Sequence, residues 1–226
     1  MGKGRGTTAP ASKGTVAQSF SDLFMLRRWL AVFAGRCYAC VMIRLSERDY
    51  GGAGLSVRRA FVEARDAFGG QLSNPMTKPI SILWNGRDII IGDILDVPQR
   101  GRFHIDFVSC RPTTLHGVDI EIPGGGIVFK GGKISPTLRT WFGSWYEPEL
   151  EWVEYPYHAP KGQLRVTTAS ERTHGDQKVV ERWTGNAAMF VERLGAHKHV
   201  YHCSHADSSP PNFEDMVIAL TLRVPE

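Results

Sequence analysis

At Pro79 the hydrophobic pattern of this chain changes its period, from about 3.6 residues to 2. Beyond that point Ile80 to Trp84, Asn85-Gly86 and Arg87 to Leu95 read as a hairpin. Asn-Gly supplies the two positive φ angles of a tight type I′ turn. Phe103, Ile105 and Phe107 then alternate with His104, Asp106 and Val108. Val118, Ile120 and Ile122 alternate with Asp119 and Glu121. Short apolar or β-branched runs follow at 127–129, 138–146, 150–152 and 164–168. Lys178 to Trp183, Thr184-Gly185-Asn186 and Ala187 to Leu194 read as a second hairpin, and Lys198 to Ser204 and Met216 to Val224 complete the series. Strands this short and regularly spaced, with no long helical pattern between them, argue against parallel βαβ units. No internal repeat suggests a propeller or solenoid. The predicted class is mainly β: an antiparallel β-sandwich or distorted barrel over residues 76–226, with one or two N-terminal helices on an edge or face.

Residues 1–20 hold Lys3, Arg5 and Lys13 and no acidic residue, and they are rich in Gly, Ser, Thr and Ala. They read as a disordered basic tail. A transit peptide and a mis-assigned start compete with that reading, with Met25 and Met42 as alternative starts to Met1. Residues 21–75 form a helical segment. Leu23, Leu26, Leu30 and Phe33 make one apolar stripe. In a second helix over 56–68, Val57, Phe61, Ala64 and Phe68 oppose Arg58, Arg59, Glu63, Arg65 and Asp66. The apolar run Trp29 to Ile43 is short of the ~20 residues a membrane helix requires, so no membrane span is expected.

Net charge is +4, but it is uneven. Residues 1–70 hold 11 Lys and Arg against 5 Asp and Glu, and the rest hold 16 against 18. Nucleic-acid binders concentrate basic residues on a face of the folded domain, so a near-neutral β domain argues against that partner. The four cysteines, Cys37, Cys40, Cys110 and Cys203, are too few for a disulfide scaffold. They fit the reduced thiols of a cytoplasmic protein.

The densest chemistry in the sequence runs from His197 to Asp207. His197 and His199 share one side of a strand, Cys203 and His205 continue on it, and His202 points the opposite way. With His104 or Asp106, also two apart, they would make a metal site taking zinc or iron. The stretch matches neither H-x-H-x-D-H nor H-E-x-x-H. Cys37 and Cys40 read as buried small hydrophobes. Gly124 to Lys133 departs from the phosphate-loop pattern, because an extra Gly precedes Lys133 and Ile134 follows it. Its glycines read as tight turns around a short strand. Asp119 with Glu121, and Glu149 with Glu151, are carboxylate pairs on strand faces of the kind a glycosidase uses, but a solvated face is the simpler account. Trp141, Trp145, Tyr146 and Trp152 form the aromatic segment expected to be a contact surface.

Because no constellation completes a catalytic pattern, the leading reading is a soluble β-rich binding protein of unknown partner, without catalysis. The alternative is a metal-dependent hydrolase or oxygenase using the His197–Asp207 cluster. The third is a small viral coat-like or nucleic-acid-associated protein, suggested by the basic arm before the β domain.

Overall fold

A computed structural model describes residues 44–45, 56–67, 81–111, 115–142, 151–174, 176–182 and 184–224. The molecule is mainly β, with two antiparallel sheets and one short helix. In spatial order the larger sheet runs β1 (Arg44–Leu45), β2 (Ser81–Trp84), β3 (Arg87–Ile90), β13 (Ala188–Arg193), β14 (Lys198–Ser204), β15 (Met216–Arg223), β5 (Arg100–Cys110), β10 (Trp152–His158), β7 (Gly126–Val128), β8 (Ile134–Ser135). Only the β1–β2 pairing at its edge is parallel. The smaller sheet runs β12 (Gln177–Arg182), β11 (Gln163–His174), β6 (His116–Glu121), β9 (Thr137–Phe142), with β4 (Gly92–Asp96) paired to the first half of β11. Among the described residues no helix is long and apolar enough to cross a membrane.

The main core lies between the sheets. Phe103, Ile105, Met189, Tyr201, Cys203, Met216, Ile218 and Leu220 of the larger sheet meet Val118, Ile120, Leu164 and Val166 of the smaller one. Within it Met189, Cys203, Met216 and Cys110 are successive register partners across β13, β14, β15 and β5, so four sulfur side chains stand in one row. A second core lies on the far side of β2, β3 and β13, under helix α1 (Val57–Ala67). Ser56 caps α1 by accepting from the Arg59 backbone N–H at 3.2 Å. Val57, Ala60 and Phe61, at i, i+3 and i+4, bury against Ile82, Trp84, Ile89 and Phe190. Burying Val57 and Phe61 contributes about 1.5–3 kcal/mol each. The helix thus covers a sheet face, as the amphipathic pattern predicts. The candidate helix over 22–35 and the Cys37/Cys40 pair lie outside the described residues.

The Asn85-Gly86 turn has φ of 44° and 79°, and β2 and β3 pair as a hairpin around it. Two expectations from the sequence need correction. The run Arg87 to Leu95 is not one strand. It breaks at Ile91, so β3 pairs in the larger sheet and β4 in the smaller. Residues 178–194 are not a hairpin either. β12 pairs with β11, while β13 pairs with β3 and β14. Thr184-Gly185-Asn186 is a crossover between the sheets. Asn186 anchors it: its Oδ1 accepts from Val57 N–H at 3.0 Å, its Nδ2 donates to Ser208 O at 2.5 Å, and its N–H donates to Ala206 O at 2.9 Å. These pairings and bonds are long-range, and a local reading of turn residues cannot see them.

Candidate functional site

Directly paired residues on neighbouring strands point to the same side of a sheet, so register gives the outer face of the smaller sheet in rows. The first row is Trp141, Gly117, Ala169, Arg182. The second is Arg139, Asp119, Thr167, and the third is Thr137, Glu121, Arg165. The intervening residues Leu138, Val118, Ile120 and Val166 point the other way, into the core.

Asp119 is the centre of this face. Its side chain is only 4% exposed and is held by two arginines. Arg139 donates from Nε to Oδ1 at 2.6 Å and from Nη2 to Oδ2 at 2.7 Å, a bidentate fork. Arg182 Nε reaches Oδ2. The hydrogen bond to Asp119 holds the Arg139 guanidinium above its ordinary pKa, so its charge is fixed. Arg58, in the first turn of α1, brings a third guanidinium. Its backbone N–H donates to Gly185 O at 3.0 Å, which seats it beside the crossover. Its side chain has no hydrogen-bond or ion-pair partner among the described residues. Arg58, Arg139, Val180, Arg182 and Thr184 line a cleft of ≈ 360 Å³. Three cations around one buried carboxylate leave the cleft with a positive surplus, and Thr184 spends its hydroxyl on Glu181 at 2.8 Å.

Trp141 stands on the same face, two residues along the strand from Arg139. A Cβ on Gly117 would stand 2.7 Å from the Trp141 ring, so the indole lies against bare backbone where only glycine fits. Arg139 stands 5.6 Å from the ring centroid, within cation–π range. Of the expected contact surface, Trp141 is therefore beside the arginines. Trp152 is 55% exposed on β10 in the other sheet, stacked on His104 at 5.2 Å. Trp145 and Tyr146 lie outside the described residues. The aromatic residues 141–152 do not form one surface through Trp141 and Trp152, because those two stand on different sheets.

The expected metal ligands are dispersed. A strand rises about 3.3 Å per residue, which puts His199 and His205 roughly 20 Å apart. His199 faces inward with its partners Leu220 and, beyond it, Ile105. His104, next to Ile105, faces outward. His104 and Asp106 do share a side and meet at 2.8 Å, with Glu154 at 3.3 Å from the other ring nitrogen. His197 is exposed, and His199 Nδ1 sits 3.2 Å from Arg193 in a network with Asp93 and Tyr201. His202 faces the opposite way, stacked on Phe190 at 4.3 Å. His205 meets His116 edge-on at 5.3 Å inside the molecule. Among the described residues no three His, Cys, Asp or Glu side chains gather as a metal-holding group. The physical reason is that a run of histidines on one strand spreads along its length, and only residues from several strands can converge.

Burial pushes His116 down to about 3, and neither of its ring nitrogens has a partner among the described residues. The paired carboxylates are occupied as well: Glu121 takes Arg165 at 3.2 Å, and Asp119 takes two arginines. Sequence reading missed Arg58, Asp119 as their centre, Arg139 and Arg182. The signal that was available is an acid, Asp119, flanked by the core residues Val118 and Ile120, with arginines on the polar side of other predicted strands. The chain matches no protein family, no curated protein and no solved structure.

Proposed function

We propose that this chain is a binding protein whose ligand is an anion, held in the Arg58–Arg139–Arg182 cleft. The observation that supports the reading is the surplus of guanidinium over carboxylate in a cleft of ≈ 360 Å³, with the Arg58 guanidinium unengaged by any described residue. Guanidinium presents its donors in a planar fork suited to phosphate or carboxylate. A catalytic role finds less support there. Asp119 is fully engaged by two cations and cannot serve as a base without breaking them. The hydrolase or oxygenase alternative needs ligands that converge, and the histidines of 197–205 run along a strand instead.

A cytoplasmic setting belongs to the same proposal. Burial pushes the Cys110 thiol up to about 11 and the Cys203 thiol higher still. β15 separates the two, so their Cα atoms stand roughly 10 Å apart, beyond disulfide reach.

The test is calorimetric titration of the full chain with a linear decaphosphate at low and moderate salt. Binding should weaken as salt rises, because the contacts are electrostatic. Arg58→Glu should lower the affinity at least about tenfold with an unchanged melting temperature, since an acid in the first turn suits the helix dipole. Equal affinity in the parent and in Arg58→Glu would defeat the proposal.

A further inference from the structure

The arginine cleft and the Trp141 indole stand on one face, and an anion alone does not account for the indole. We infer that the ligand is a single-stranded nucleic acid, with a base stacked on Trp141 and its phosphates in the Arg58–Arg182 cleft. The inference rests on the anion-binding reading and adds the chemistry of what the phosphate is attached to.

Three observations carry it. First, the indole is seated against Gly117, where a side chain would displace it, and Arg139 stands 5.6 Å from its centroid. A supported ring beside fixed cations is the combination that single-strand binders use, because every base has a π-face and every nucleotide a phosphate. Second, the row from Trp141 to Arg182 crosses Gly117 and Ala169, the two smallest side chains available. Strands lie about 4.8 Å apart, so this track separates indole from guanidinium by roughly 14 Å at the backbone. Gly117 and Ala169 are both buried, so the longer side chains of this face, and not the floor between them, meet a ligand. Third, Val180, 38% exposed, gives the cleft an apolar wall suited to a sugar. An acidic peptide would use the arginines and leave the indole and this wall idle.

The near-neutral charge of residues 71–226 argues against nucleic acid only as an average. The cleft draws Arg139 and Arg182 from that segment and Arg58 from the basic one. Recognition depends on the local surplus, not on the sum.

The experiment compares two ligands of equal phosphate number on the full chain: fluorescein-labelled decauridylate and unlabelled decaphosphate as its competitor. The parent should bind decauridylate more tightly than decaphosphate. Trp141→Ala should weaken decauridylate binding about 5- to 100-fold and leave decaphosphate binding unchanged. Trp141→Phe, which keeps a ring, should retain most of the affinity, and the decaphosphate binding retained by Trp141→Ala shows that its loss is not loss of fold. Arg58→Ala should weaken both ligands. If decaphosphate binds as tightly as decauridylate, or Trp141→Ala leaves both untouched, the nucleic-acid inference falls and the anion reading stands. If the parent binds neither ligand at low salt, both fall. Tighter binding to a duplex than to the single strand would also overturn it, since a paired base cannot reach the indole.

Discussion

The two outer faces of the sandwich carry the same residue types in different proportion. On the larger sheet, Arg102 and Arg223 meet Glu154 at 2.7 and 2.6 Å, and His104 lies between Glu154 and Asp106 with Trp152 stacked on it. Arg102, Arg223 and His104 are matched there by carboxylates, while Arg100 and Lys198 on the same face are exposed to solvent. On the smaller sheet, Arg139 and Arg182 share one carboxylate, Arg58 of α1 lines the same cleft unpaired among the described residues, and a tryptophan lies beside Arg139. The number of ion pairs is similar, but among the described residues only on the second face does an unpaired cation, Arg58, line a cleft together with two fixed arginines. A patch rich in salt bridges is therefore not a binding site by virtue of them. What matters is the cation left over.

The sharpest way to break this comparison is to remove the shared carboxylate. Asp119→Ala leaves Arg139 and Arg182, 32% and 42% exposed, without their shared acceptor. Urea unfolding should show a loss of about 1–3 kcal/mol, the range for removing one partner of a charged hydrogen bond whose other partner still reaches solvent. The same variant should bind decaphosphate more tightly than the parent wherever it remains folded. Stability unchanged by Asp119→Ala would mean that the acid does not organise the cleft.

Acid separates the faces from the core they enclose. His116 titrates at about 3 in the folded chain and near 6.5 when unfolded, so the unfolded state binds the proton first. Stability should fall as pH drops below about 6.5, by up to about 1.4 kcal/mol per pH unit, with the loss continuing towards pH 3. The groups around the pair are His205 itself, lowered mainly by burial, with Asp207, Asp215 and Arg172 near it. His116→Phe should flatten this part of the profile in urea titrations at several pH values. Glu154 behaves in the opposite sense. Arg102 first, with Arg223 and His104, holds it below its ordinary 4.5, so its contribution is present above that value and is lost as pH falls further. A Glu154→Gln variant should lack that lower limb while its binding of anions stays as in the parent.

The smallest effect is expected where charge is balanced and wet. Arg102→Ala removes a half-exposed cation from the larger sheet, and should cost no more than about 1 kcal/mol in thermal unfolding. It should leave decaphosphate affinity where it was. A loss of affinity equal to that of Arg58→Ala would erase the distinction between the faces.

The strands were legible because alternation is local. His104 and Asp106 on one side, His202 on the other, and the turn at Asn85-Gly86 all follow from period and turn chemistry. Sheet membership was not legible. Residues 177–182 and 188–193 look like two arms of a hairpin, but the first pairs with β11 and the second with β3 and β14, and Asn186 between them bonds to Val57, Ala206 and Ser208. The site was hidden for the same reason. Four histidines within nine residues draw the eye, yet a strand carries them apart. Arg58, Asp119, Arg139 and Arg182 come from four elements and look like ordinary polar positions until the register is known. Trp141 was readable as a contact residue from its type, and its seat on Gly117 was not.

Asn186 has a mechanical consequence. Its side chain pins the start of α1 on one hand and the Ser208 carbonyl on the other, and Arg58 follows directly on the pinned Val57. The amide is a rivet through three plates: helix, crossover and the loop of residues 205–215. Helix start and loop are therefore held at one fixed spacing by a single side chain, and the position of Arg58 over the crossover is fixed with them.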